Sequence, residues 1–125
     1  MTWRHFSLGE FVCPCCNVEA MEWGFVGRLQ RLRDEYGKVI QVTRGWNCYE
    51  YDSDHYKGYG VHPTGHAADV VIPRKNVHEF LYLAFREAFT GIGVRAHGDR
   101  RFIHLDDLGY GPAWVNKRPW FWTYE

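Results

Sequence analysis

Apolar residues recur along this chain in two rhythms. From Met21 they fall at helical spacing, at Met21, Phe25, Leu29, Leu32 and Tyr36, with Arg28, Arg31, Arg33 and Asp34 elsewhere on the wheel. That is an amphipathic helix packed by one stripe, and Gly37 predicts its end. A second stripe, Val77, Phe80, Leu81, Ala84, Phe85 and Ala88, starts within Asn76-Val77-His78-Glu79, which resembles a capping box, and is closed by Gly91. Elsewhere the period shortens to two. Lys38 to Thr43 sets Val39, Gln41 and Thr43 against Ile40 and Val42, a strand ending at the Arg44-Gly45 turn. Ile92 to Ala96 and Arg101 to Leu105 read as partner strands joined by a turn at His97 to Arg100. Tyr49 to Gly60 holds four Tyr, three acidic groups, His55 and two Gly without a period, and reads as a loop bordering a cleft. The tail Lys117 to Tyr124 is expected to pack back over the sheet, unless Trp120 and Trp122 are kept exposed for stacking on sugars. The predicted fold class is α+β, a small antiparallel sheet packed by two main helices.

Length and charge narrow the picture further. A chain of 125 residues suits one domain with a usable core. Fifteen basic residues balance fifteen acidic ones, so net charge gives no reason to expect nucleic acid or an anionic membrane as partner. A polar small-molecule or peptide substrate stays open, and a monomer is expected. There is no apolar run of about 18 residues to insert in a bilayer. The opening MTWRHFSLGEFVC lacks the basic start and apolar stretch of a secretory signal, so the expected product is cytoplasmic.

The stretch Gly60 to Ile72, GVHPTGHAADVVI, carries the clearest chemistry. Pro63 and Gly65 bend the backbone after His62, and Asp69 opens the apolar run Val70 to Ile72, so a loop enters a buried strand. A carboxylate facing such a core alone would suffer a large desolvation penalty, and a cation shared with His62 removes it. In RFIHLDD, residues 101–107, strand alternation puts Phe102, His104 and Asp106 on one face and Arg101, Ile103 and Leu105 on the other. His104 is thus a third donor. His62, Asp69 and His104 make a catalytic zinc set that leaves a fourth position for water, whereas calcium would want more carboxylates. His66 stands four residues after His62, the spacing of a helical metal pair, but Pro63 and Gly65 argue against a helix there. It is expected around the ligands at most, and His55 is expected in solvent.

Cys13, Cys15 and Cys16 crowd into VCPCC, and Cys48 stands alone some thirty residues later. Three outcomes are open: buried thiols, a structural zinc, or a disulfide formed after release from a reducing cytosol. The spacing is not that of paired C-x-x-C motifs.

The metal motif resembles the zinc peptidases of the D-alanyl-D-alanine carboxypeptidase and endopeptidase family, whose signature is His, six residues, Asp, then a distant His followed by an apolar residue and Asp. Here these are His62, Asp69 and His104-Leu105-Asp106. HFSLGEFVC, VIQVTRGWNCYEYD, GIGV and KRPWFWTY look like segments of the small phage and prophage members, in the same order. The resemblance implies a hedgehog/DD-peptidase-like fold and zinc-dependent hydrolysis of peptidoglycan stem peptides, by a carboxypeptidase or endopeptidase route. It also implies action on the cell wall after phage-type release or as part of a virion, and proximity of Cys48 to the Cys-rich start. The family reads Ser-Gly-Tyr-Arg where this chain has Arg44-Gly45-Trp46-Asn47, so the substrate-binding Arg falls on Asn47 and Arg44 is the candidate to replace it. Relatives also place an acidic residue three before the last ligand or a His two before it, where this chain has Arg101 and Phe102. Asp106 is therefore the expected catalytic carboxylate or the group that orients His104, with Asp99 the other candidate. A zinc-stabilised wall-binding module without hydrolysis is the alternative function.

Overall fold

A computed structural model describes residues 3–56, 60–109 and 117–124. Helix α1 spans Trp23–Tyr36 and buries Phe25, Leu29, Leu32 and Tyr36 of the predicted stripe together with Val26, while Met21 is buried just before the helix begins. Gly37 ends it at φ 74°, a left-handed cap that glycine adopts without steric penalty, its N–H bonded to the Arg33 carbonyl. Each such side chain contributes roughly 1.5–3 kcal/mol on burial, an upper figure because unfolded chains already hide some apolar surface. The second predicted helix is shorter than its stripe: it spans Val77–Arg86, with Phe80 and Ala84 buried while Phe85 and Ala88 face outward. Ala88 adopts φ 67°, which turns the chain so that Phe89 rather than Ala88 enters the core. Asn76 makes no side-chain cap, and a 3-10 turn, Arg74–Asn76, leads into the helix instead.

The described residues hold three α-helices where two main ones were expected. Tyr49–Tyr56, expected as loop, is helix α2, so the helix from Val77 to Arg86 is α3. Its apolar pattern is weak, and its one buried residue is Asp52, anchored by an ion pair. Tertiary contact rather than an amphipathic stripe holds it, which is why periodicity missed it. Residues 57–59 of that expected loop lie outside the described residues, and Gly60, its last residue, donates its N–H to Asp52.

The strands are β1 Gln41–Arg44, β2 Ala67–Val71, β3 Gly91–Arg95, β4 Phe102–Asp106 and β5 Trp120–Thr123, in the order β1-β2-β4-β3-β5. β1, β2, β4 and β3 are antiparallel neighbours as expected, but β5 runs parallel to β3, so the sheet is mixed rather than antiparallel. The reason is where the tail enters: the Trp120 N–H bonds the Thr90 carbonyl, at the end where β4 finishes and β3 begins. A chain joining the free edge of β3 from that end must run with it. The tail thus extends the sheet instead of lying over it.

One face of the sheet presents Ala68, Val70, Ile92, Ile103 and Leu105 to the core under α1 and α3. Tyr36 and Phe80 join the two helices edge to face, with ring centroids 5.3 Å apart. The opposite face carries Asp69, His104 and Asp106. Gly91 and Gly93 of GIGV are required there, because a Cβ would overlap the Asp106 carboxylate at Gly91 and the Trp122 ring at Gly93. Among the described residues no helix is long and apolar enough to cross a membrane.

Candidate metal centre

Asp69 and His104 are direct cross-strand partners on β2 and β4. His62 reaches them from a 3-10 turn, His62–Thr64, closed by Gly65 at φ 81°. The turn is tied down on two sides: the Gly65 carbonyl accepts the Glu22 N–H at the start of α1, and the Pro63 carbonyl accepts the Trp46 indole N–H at 3.1 Å. The expected loop before the strand is therefore a fixed platform.

The donor atoms converge. His62 Nδ1–H donates to the Gly45 carbonyl at 2.8 Å, which leaves the lone pair on Nε2, 3.4 Å from Asp69 Oδ1. His104 Nδ1 stands 3.0 Å from the same oxygen, and all three residues are buried. Donors about 2.0–2.2 Å from a tetrahedral ion are roughly 3.3–3.6 Å apart; the His62–Asp69 spacing falls in that range, and the His104–Asp69 spacing is a hydrogen-bond distance that opens by a few tenths of an ångström to admit zinc. His62 Nε2 is buried with no hydrogen-bond partner, an uncompensated loss of hydration that a cation would relieve. Two imidazoles and a carboxylate suit zinc among the common divalent ions.

Electrostatics distinguish the imidazoles. Burial pushes His62 below its ordinary value, against the pull of the Asp69 charge, and keeps it neutral. Burial also pushes His104 down, but its hydrogen bonds to Asp106 and Asp69 outweigh this and hold it above the ordinary value. Burial alone would raise Asp69, yet its interactions with His62 and His104 hold it well below the carboxylate range.

Asp106 lies beyond the other ring nitrogen. Its Oδ2 accepts His104 Nε2–H at 2.7 Å, and the Arg118 guanidinium clamps both carboxylate oxygens at 2.7 and 2.8 Å. Burial raises its pKa, and His104 and Arg118 reverse the shift to a net lowering. The carboxylate thus sets the His104 tautomer that exposes the Nδ1 lone pair.

Arg44 does turn into the site. A bulge between Val42 and Arg44 shifts the register of β1 so that Arg44 pairs with Asp69. Its guanidinium bonds Asn47 and Asp52, lies 3.5 Å from the Tyr56 ring centroid, and brings Nη1 to 3.8 Å from Asp69 Oδ2. Asn47 is buried and props Arg44 by accepting its Nε–H. Above the ligands opens a cleft of about 580 Å³, walled by Arg44, Tyr56, Arg118, Trp122 and Tyr124.

Other predicted candidates are not gathered here. His66 bonds Asp107 at 2.8 Å, half-exposed, and His55 stacks on Tyr51 in solvent. Asp99 is exposed in the β3–β4 turn. Sequence reasoning missed Asp52 and Arg118, the partners that fix Arg44 and Asp106. The only signal for either was an unpaired charge in an aromatic stretch.

Comparison of the chain with protein-family models and with curated proteins returns no match.

Proposed function

We propose that this chain is a zinc-dependent peptidase of hedgehog/DD-peptidase-like fold that hydrolyses peptide bonds in the stem peptides of bacterial peptidoglycan. The observation that carries the reading is the buried, unpartnered Nε2 of His62 aimed at Asp69 and His104 Nδ1 beneath an open cleft. When bound, zinc supplies Lewis acidity for a scissile carbonyl and lowers the pKa of a water towards about 7. The chain's own groups then divide the work. His62, Asp69 and His104 hold the ion. Arg44, anchored by Asn47 and Asp52, presents Nη1 to a substrate carbonyl or carboxylate, and Trp122 and Tyr124 offer flat faces to the peptide or adjoining sugar. Asp106 takes the orienting role of the two expected for it. The peptidoglycan substrate rests on the resemblance of the metal motif and flanking segments. In the same proposal the enzyme reaches the wall after phage-type release or within a virion.

One observation favours the alternative, a zinc-stabilised wall-binding module. Among the described residues lining the cleft there is no carboxylate, and Asp106 is already clamped by Arg118. Digestion of purified peptidoglycan by the zinc-loaded protein, with mass-spectrometric mapping of muropeptides, separates the two. New peptide ends that vanish with chelator and return with zinc are expected. Intact muropeptides from a fully zinc-loaded protein that still sediments with the wall would select the binding module.

A further inference from the structure

The four cysteines that the metal centre leaves unused meet at one point. Residues 13–18 form a tight knuckle: the Cys13 N–H bonds the Val18 carbonyl and the Asn17 N–H bonds the Cys13 carbonyl, both at 2.8 Å, with Asn17 at φ 58°. The knuckle turns Cys13, Cys15 and Cys16 towards Cys48, which sits just before the first residue of α2 and accepts the Asp52 N–H on its carbonyl. The sulfurs of Cys13, Cys15 and Cys48 are mutually 3.3–3.7 Å apart, and all four lie within 4.8 Å of one another.

We infer that Cys13, Cys15, Cys16 and Cys48 form a second, structural metal site that takes one zinc ion as a tetrathiolate. Sulfurs about 2.3 Å from a tetrahedral zinc are roughly 3.8 Å apart, close to the spacing seen. A disulfide needs about 2.05 Å between two sulfurs and leaves the others over, whereas here Cys15 is nearly equidistant from two partners. Backbone groups are also arranged for thiolates: the Cys48 N–H points at Cys13 Sγ at 3.5 Å and the Tyr51 N–H at Cys48 Sγ at 3.4 Å. The neighbouring pair Cys15-Cys16 is accommodated because the knuckle bends at that pair. Binding displaces the thiol protons to solvent with no electron transfer, leaving Zn²⁺ with four thiolates.

The site is a clamp rather than a reaction centre. It joins the N-terminal segment to the Gly45–Cys48 stretch, whose Gly45 carbonyl fixes His62 and whose Asn47 props Arg44. The inference does not depend on the proposed peptidase activity.

The test uses the full chain purified under reductant. Metal analysis is expected to give about two zinc ions per chain, and about one in the His62→Ala/His104→Ala variant. Should that variant fail to fold, the wild type decides alone. Cobalt replacement is expected to give an intense thiolate-to-cobalt charge-transfer band, which imidazole and carboxylate donors do not produce, and a mercurial titration is expected to release about half of the bound zinc. Absence of the band in cobalt-loaded protein, four freely reacting thiols in zinc-loaded protein, or a disulfide would each overturn the tetrathiolate, and iron in place of zinc would overturn the choice of metal.

Discussion

His104 is gripped at both ring nitrogens, by Asp69 on one side and Asp106 on the other, and only one of those contacts gives way to an ion. Asp106→Asn is therefore expected to weaken zinc binding at this centre about 10- to 100-fold, with activity recovered in excess zinc. Arg118→Ala should move affinity the same way, since Arg118 holds Asp106. A competition titration beside rates at saturating zinc checks both; unchanged affinity with lost turnover would instead make Asp106 the catalytic carboxylate. The imidazoles also set the pH response. His62 is held neutral by burial, while His104 has its pKa raised and keeps a proton to higher pH than usual. Zinc needs both lone pairs bare, so one proton, from His104, must leave. Affinity is expected to fall about tenfold per pH unit below the His104 pKa. A fall of about a hundredfold per unit near neutrality would mean that His62 is protonated too.

Elements act here mainly by aiming side chains. Simple alternation along β1 would put Arg44 on the core side with Val42, and the bulge sends it to Asp69 instead. α2 exists to supply Asp52, whose carboxylate meets Arg44 at 2.9 Å in a largely buried pair. Asp52→Ala strands that guanidinium, and a loss of about 3 kcal/mol in folding free energy is expected from denaturant unfolding. A change within experimental error would show that α2 is held by something else. β5 docks through Trp122 over the gap at Gly93. Gly93→Ala forces the ring away, with an expected cost of about 1–3 kcal/mol and a raised KM, read from thermal unfolding and from rates on muropeptides. An unchanged melting temperature and KM would remove Trp122 from the cleft wall.

At the scale of the molecule, the helices bury one sheet face and the other is left to polar chemistry. Arg118 and His104 compensate Asp106, but the buried lone pair of His62 Nε2 stays unpartnered unless an ion unites His62, Asp69 and His104. Zinc at a hundred times its dissociation constant should add about 2.7 kcal/mol for each occupied site, raising the melting temperature by roughly 10 °C per site. Calorimetry of the loaded and chelator-stripped protein checks this; equal transitions would deny the ion any part in holding the fold.

The sequence by itself determined α1 and its glycine cap, the antiparallel partnership of the Asp69 and His104 strands, and the identity of the three converging donors. Each of these is signalled locally, by a period, a breaker, or a polar residue set where the pattern demands an apolar one, and the strand pairing follows from two such signals that share a need for one cation. Only the tertiary structure decided the rest. The direction of Arg44 depends on a bulge that exists only against β2, and α2 on an ion pair made across the chain. The parallel placement of β5 follows from where the tail meets the sheet edge. The orienting contact of Asp106 depends on Arg118 arriving with that tail, and the convergence of all four sulfurs, where resemblance implied only that Cys48 lies near the Cys-rich start, depends on the knuckle at residues 13–18. Periodicity reports what a residue owes to its neighbours in sequence, and these features are owed to neighbours in space.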